Sequence, residues 1–232
     1  MLIVIEKLFT PGEIAALRER LLSAPWADGA ATAGERAVQV KQNLQVPMDD
    51  PVAKDIGQVI LTRLGQNPQF LAAALPVTIH PPRFNLYRDG GHYGAHVDGA
   101  LMRMPGEDRL LRTDLSATLF LNDPTDYDGG ELTVEGQFGG QSVKLPAGDM
   151  VLYPSSSLHK VTPVTRGMRI ASFFWMQSAV KDGEARAMLY DLDRSIQGLS
   201  VQTGAPGRGK DDADIDRLMQ VYHNLLRRWA QI

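Results

Sequence analysis

The chain has 232 residues and a formal charge of −3, its 24 Lys and Arg scattered among 27 Asp and Glu. That length suits one large domain or one domain with a small appendage, and 44% hydrophobic with 22% charged residues excludes disorder throughout. No basic stripe points to a nucleic-acid partner, and the absence of cysteine excludes a disulfide framework, a CxxC zinc site and a thiol nucleophile.

The opening run Met1-Leu2-Ile3-Val4-Ile5 is too short for a signal peptide and lacks a basic start. No apolar run approaches a membrane span, so the expectation is a soluble cytoplasmic protein with no membrane partner. Thr10-Pro11-Gly12-Glu13 predicts a helix start, with Thr10 as cap, Pro11 at the first turn and Glu13 closing a capping box. Ile14, Leu17, Leu21 and Leu22 supply its apolar stripe. Residues 38–46 alternate, placing Val38, Val40, Leu44 and Val46 on one face of a strand. Asp50-Pro51 starts a second helix that turns Val52, Ile56, Val59 and Ile60 inward.

Beyond residue 77 the pattern becomes one of short strands with Gly-rich turns. The candidates are 77–88, 115–121, 131–135, 142–145, 149–153 and 168–176, an arrangement that favours an antiparallel sandwich or barrel over a parallel sheet. The tail returns to helix. Ala185, Leu189, Leu192 and Ile196 form one stripe; after the break Thr203–Gly209, residues Ile215, Leu218, Met219, Tyr222, Leu225, Leu226 and Trp229 form another. Such a stripe reads as core, with the helices covering the β region or making a subunit contact in a homo-oligomer. The chain thus divides into 1–76, a helix/strand segment packing on the core; 77–178, the β core; and 179–232, a helical region.

Chemistry must come from His, Asp, Glu and Arg. Of five histidines, His223 reads as an ordinary helix residue, and His80 has no partner ligand near it in the chain. His92 and His96 have the i, i+4 spacing of a helical metal pair, but Gly90, Gly91 and Gly94 make a helix there improbable. His96-Val97-Asp98 is more informative, because residues i and i+2 of a strand project from one face and can reach one ion. His159, after the turn-like Pro154-Ser155-Ser156-Ser157, is the candidate third ligand. Two histidines and a carboxylate match the facial triad of non-haem Fe(II) oxygenases; zinc could use the same residues, but no general-base glutamate lies beside them. Arg169 leads into the apolar run Ile170–Trp175. It reads either as a strand-end surface arginine or as a bidentate carboxylate clamp. Arg166, before Gly167 in an expected hairpin turn, reads as solvated.

His96-x-Asp98, His159 and a basic residue ten positions further on resemble the iron- and 2-oxoglutarate-dependent dioxygenases of the prolyl-hydroxylase type. So do Tyr87 nine residues before the HxD, Leu119-Phe120-Leu121-Asn122, Asp128-Gly129-Gly130-Glu131-Leu132, Gly148-Asp149, Tyr153-Pro154 and Trp175. The likeness covers roughly residues 77–177. The bacterial PKHD-type hydroxylases, some tied to iron uptake, look most similar and carry a similar helical tail.

The resemblance implies a mainly β fold with flanking helices around a double-stranded β-helix (jelly-roll) core. It implies Fe(II) held by His96, Asp98 and His159, 2-oxoglutarate held by Arg169 with a hydrogen bond from Tyr87, and ascorbate as reductant. The implied reaction consumes O2 and hydroxylates a prime substrate while 2-oxoglutarate yields succinate and CO2. One departure is that many relatives place a tyrosine before GGEL, where this chain has Leu119, Phe120 and Leu121, so that side of the pocket is expected to be apolar. Arg83, Asn85, Thr118 and Glu131 are the expected substrate-facing residues, and the loop Leu101–Arg112 is read as either a lid or an ordinary loop. The rival readings are a non-catalytic jelly-roll sensor binding metal or a small ligand, an interaction protein using the tail stripe, and a zinc hydrolase.

Overall fold

The computed structural model describes residues 1–29, 40–136, 139–202 and 213–231. Strand β1 (Ile3–Ile5) leads into helix α1 (Pro11–Leu22), which begins at the expected capping box: Glu13 N donates to Thr10 Oγ1, and Thr10 N donates to the Glu13 carboxylate at 2.8 Å. Asp50 caps α2 (Pro51–Gly65) by accepting from the Val52 and Ala53 amides. Two residues expected inward are exposed, Leu22 and Val59. On α2 the buried stripe runs instead through Ala53, Ile56, Ile60 and Leu64. A third helix, α3 (Pro68–Ala74), capped by Asn67, is too short to show a helical period in sequence.

Sixteen strands follow among the described residues. They are β1, β2 (Ala27–Asp28), β3 (Lys41–Gln42), β4 (Leu44–Gln45), β5 (Pro76–Ile79), β6 (Arg83–Arg88), β7 (His92–His96), β8 (Leu101–Arg103) and β9 (Leu110–Arg112), then β10 (Leu115–Phe120), β11 (Tyr127–Gly129), β12 (Leu132–Gly136), β13 (Gly139–Val143), β14 (Met150–Pro154), β15 (His159–Val161) and β16 (Val164–Ser178). One sheet has the order β1-β14-β10-β16-β6-β4-β2, with β5 and β11 also pairing β16; the facing sheet is β13-β12-β15-β7-β3; β8 and β9 form a separate hairpin. Every pairing is antiparallel, and the chain alternates between the two sheets, as in a double-stranded β-helix with its pocket between them.

Period-two alternation sorts the side chains of the larger sheet. Phe84 and Leu86, Leu115, Ala117 and Leu119, Met150 and Leu152, and Ile170, Phe174 and Met176 face the helices in the main core. Complete burial of a side chain such as Phe84 or Ile170 contributes about 1.5–3 kcal/mol. The opposite set, with Tyr87, Phe120, Val151 and Tyr153, faces the second sheet.

The structure departs from expectation at several places. Residues 38–46 are not one strand: β3 joins the smaller sheet through β7, and β4 joins the larger through β6, with buried Asn43 at the crossing. Val40 is consequently exposed, and Val38 lies outside the described residues. The 77–88 run breaks at His80-Pro81-Pro82, since proline donates no ladder hydrogen bond. Arg166 and Gly167 sit inside β16 rather than in a turn. Gly167 there has φ +71°, and a Cβ would lie 2.1 Å from the Asp126 carbonyl oxygen.

The helix α4 (Gly183–Gln202) packs on α3, and α5 (Ala213–Trp229) packs on α4. The tail stripe is therefore not core. Tyr222, Leu225, Leu226 and Trp229 are only partly buried, packed against Val180, Ala185 and Leu189. The break at 203–209 lies outside the described residues. No helix among the described residues is long and apolar enough to cross a membrane.

Candidate active site

The register of the smaller sheet makes the site. His159, first in β15, is the direct cross-strand partner of His96, last in β7, and their ring centroids stand 4.2 Å apart. Asp98 lies two residues past the end of β7. Val97 between them is 52% exposed, while the Asp98 side chain turns back and is 9% exposed. Its carboxylate comes within 4.0 Å of His96 Nε2 and 3.7 Å of His159 Nε2. One ligand atom from each of the three residues falls within 4.8 Å of the others, close enough for a single ion.

Tautomers follow from the backbone. His96 Nδ1 donates to the Gly94 carbonyl at 2.8 Å, and His159 Nδ1 donates to that of Ser157 at 3.0 Å. Both Nε2 lone pairs are thereby left facing Asp98, the arrangement that metal-binding imidazoles adopt. Burial, and after it the proximity of His159, holds the His96 pKa down to about 4, so the ring is neutral at pH 7. Ser116 Oγ donates to Asp98 Oδ2 at 2.6 Å and contacts Ser155 Oγ at 2.8 Å. Tyr93 stacks on His96 with centroids 3.6 Å apart, and Tyr153 sets its ring edge-on to His159 at 5.1 Å. Burial, aided by the Asp98 charge, raises the Tyr93 hydroxyl to about 12; burial also pushes Tyr153 up.

Arg169 stands across the pocket on β16, 1% exposed. Its guanidinium lies 5.4 Å from the Tyr87 ring and 5.2 Å from the Phe120 ring, so the apolar side expected from Leu119-Phe120-Leu121 is supplied by Phe120. Nε and Nη1 have no hydrogen-bond partner, and no carboxylate among the described residues pairs with them. A strand-end surface arginine is thus excluded. Tyr87 is buried beside Arg169, not at the cavity wall, and its hydroxyl accepts from Asn85 Nδ2 at 3.4 Å. The buried Tyr127 hydroxyl faces Arg169: burial raises its pKa, and the guanidinium opposes the shift.

A cavity of about 1080 Å³ joins these groups, lined by His96, Asp98, His159 and Arg169. Arg83, Asn85 and Thr118 line it as expected, but Glu131 does not. It lies in the turn before β12 and accepts from the Thr162 hydroxyl, leaving Leu132 at the wall. His80 also lines the cavity but bonds to the Pro81 carbonyl at 3.0 Å, away from the triad; His92 bonds to Gly90, and His223 is exposed on α5. The β8–β9 hairpin walls the mouth, with Met104 and Leu111 packed on Trp175. Tyr93, Tyr153 and Ser116 were not foreseen as site residues. The inward phase of β10 and β14 could have flagged Ser116 and Tyr153, but Tyr93 required the β3–β7 pairing.

The donor set suits a borderline metal with nitrogen and oxygen ligands and open positions, and the orphaned guanidinium suits a buried carboxylate. Fold and triad are of the kind found in 2OG-Fe(II) oxygenases, and the profile of that superfamily matches residues 82–177. The profile of the PKHD-type hydroxylase C-terminal domain matches residues 183–231.

A PKHD-type hydroxylase of Acidovorax ebreus (strain TPSY) is 58% identical over 231 residues, covering 100% of each chain. One of Teredinibacter turnerae (strain ATCC 39867 / T7901) is 56% identical with the same coverage. Among solved structures, a Pseudomonas putida prolyl-4-hydroxylase is 21% identical with a TM-score of 0.51, covering 76% of this chain and 92% of that one, which shows likeness of fold. The chain belongs to the PKHD-type hydroxylases, enzymes of the 2OG-Fe(II) oxygenase superfamily. Membership brings Fe(II), 2-oxoglutarate, O2 and a prime substrate.

Proposed function

We propose that the protein hydroxylates a C–H bond of an organic substrate, with His96, Asp98 and His159 holding Fe(II) and Arg169 pairing with the distal carboxylate of 2-oxoglutarate. Succinate and CO2 are the accompanying products. The observation that carries this reading is the converged His–Asp–His set facing a fully buried guanidinium that lacks a carboxylate of its own. Fe(II) held by these three residues would supply the redox chemistry and the sites for a 2-oxo acid and dioxygen, neither of which side chains can provide.

The chain's own residues bind, orient and exclude water. The Gly94 and Ser157 carbonyls lock both imidazoles in the ligating tautomer. Ser116 occupies lone-pair space on Asp98 Oδ2 and leaves Oδ1 for ligation. Phe120 and Tyr87 wall Arg169 off from water, which strengthens its pairing with an anion. Tyr87 acts through Arg169, supporting its guanidinium from the side.

The test is an anaerobic titration of apo-protein with Fe(II) and then 2-oxoglutarate, following the charge-transfer band of the chelate beside the Arg169→Ala variant. Wild type is expected to show the band, and the variant to need much more 2-oxoglutarate. Succinate release in air, with ascorbate keeping the iron ferrous, completes the assay. Stoichiometric metal binding with neither band nor succinate would make the metal-binding sensor module the better reading.

A further inference from the structure

The cavity carries positive charge that the co-substrate does not use. Its floor is the inner face of β6 and β16, where Arg169 stands opposite Tyr87 and Phe173 opposite Arg83. Four residues of strand separate the two levels, about 13 Å. A five-carbon diacid is shorter than that spacing, so one held at Arg169 and the triad does not account for Arg83.

Arg83 lines the cavity, half-buried, with its guanidinium 5.8 Å from the Phe173 ring. Its buried Nε has no hydrogen-bond partner, and Nη2 reaches only the neutral Gln45 Oε1, at 3.3 Å. Lys41, on β3 of the facing sheet, lines the same cavity with its ammonium 5.3 Å from the Tyr93 ring. Burial and then the Arg83 charge lower Lys41 to about 8, against a smaller opposing pull from Asp28. Two cations from opposite sheets therefore approach one space.

The carboxylates that line the cavity are committed elsewhere. Asp108 pairs with Arg103 at 2.7 Å, Glu107 pairs with Arg109 at 3.0 Å, and Asp98 belongs to the triad. An arginine with a structural role at this depth is normally paired, because a buried, unpaired N–H is costly. Apolar side chains form much of the wall: Met48, Met102, Met104, Phe173 and Trp175.

We infer that the prime substrate bears a carboxylate on an apolar body and that Arg83 binds that carboxylate at the outer end of the cavity. The inference rests on the hydroxylase reading, which requires a second organic molecule in this space.

The experiment is a thermal-shift panel of aromatic and aliphatic carboxylic acids, each beside its primary amide, on protein loaded anaerobically with Fe(II) and saturated with 2-oxoglutarate. Wild type, Arg83→Gln and Arg83→Lys are compared, and 2-oxoglutarate affinity is measured separately in each. Acids are expected to stabilise wild type more than their amides, with binding about tenfold tighter for the best acid. The preference should vanish in Arg83→Gln and survive in part in Arg83→Lys.

Equal shifts from acids and amides in wild type, or a preference that persists in Arg83→Gln, would overturn the inference. So would a loss of 2-oxoglutarate affinity in Arg83→Gln equal to that in Arg169→Ala, which would assign Arg83 to the co-substrate. Failure of the hydroxylase reading is a separate result: wild type would then not bind 2-oxoglutarate in an iron-dependent way. The acid–amide comparison, run without 2-oxoglutarate, would still report on Arg83.

Discussion

Ser116 Oγ lies 2.6 Å from Asp98 Oδ2 and is itself braced by Ser155 Oγ at 2.8 Å, so the single carboxylate of the triad is aimed by a hydroxyl pair from β10 and the turn after β14. Asp98 lies beyond the end of β7, and among the described residues no other hydrogen bond fixes its rotamer. Ser116→Ala is expected to weaken Fe(II) affinity by about 10–100-fold, the usual effect of losing an outer-shell partner. Competition against a metal-sensitive dye measures it, and wild-type affinity in the variant would show that Asp98 is positioned by something else.

Arg169 separates binding from stability. A buried guanidinium with two unpaired N–H groups is a cost that an apolar side chain of similar length would remove. Arg169→Met is therefore expected to raise the Tm of the ligand-free protein by at least ~2 °C while greatly weakening 2-oxoglutarate binding. A lowered Tm in ligand-free Arg169→Met would mean that the arginine holds the two sheets together.

Gly130 forms one side of the Arg169 pocket. Its φ is +68°, and a Cβ would lie 2.9 Å from Tyr127 and Val164 side-chain atoms and 3.0 Å from Arg169 Cδ. Gly130→Ala is expected to cost about 1–3 kcal/mol of stability and to weaken 2-oxoglutarate binding by displacing Arg169. Denaturant unfolding and a co-substrate titration on one preparation check both effects.

Glu13 gives the fold a pH-sensitive cap. The Thr10 amide first, then the Arg63 guanidinium and the Thr10 hydroxyl, hold its pKa down to about 2, from an ordinary value of 4.5. A depressed carboxylate contributes stability above its unfolded pKa and loses it as pH falls through the folded one. The Tm difference between wild type and Glu13→Gln should thus be constant above about pH 5 and vanish on acidification toward pH 2. The site is exposed, so the difference is expected to be small and to shrink with salt.

Much of the molecule is legible locally. The caps at Thr10 and Asp50 and the strands around 115–121 and 149–153 follow from spacing, because hydrogen bonding within a turn and alternation along a strand involve neighbours in the chain. The candidate pair His96-x-Asp98 was legible for the same reason, whereas His159 lies far along the chain and meets it only through the β7–β15 pairing. Alternation also puts Phe120 and Leu119 on opposite faces of β10, but which face was the pocket and which the helix-covered core was not legible.

What lay beyond the sequence depends on pairings between distant segments. Residues 41–46 divide between two sheets because β6 and β7 recruit them separately, and no local pattern records that crossing. The last helix looked like core by periodicity, yet how much of an apolar stripe is covered depends on which segments reach it, and here its stripe is only partly buried. Arg169 could be either a surface residue or a clamp until Phe120 and Tyr87 closed over it. By itself the sequence determined which chemical groups the protein has and their spacing along the chain. Tertiary structure alone decided which of them meet, which are cut off from water and which are left unpaired, because burial and charge pairing arise only when segments far apart in the chain come into contact.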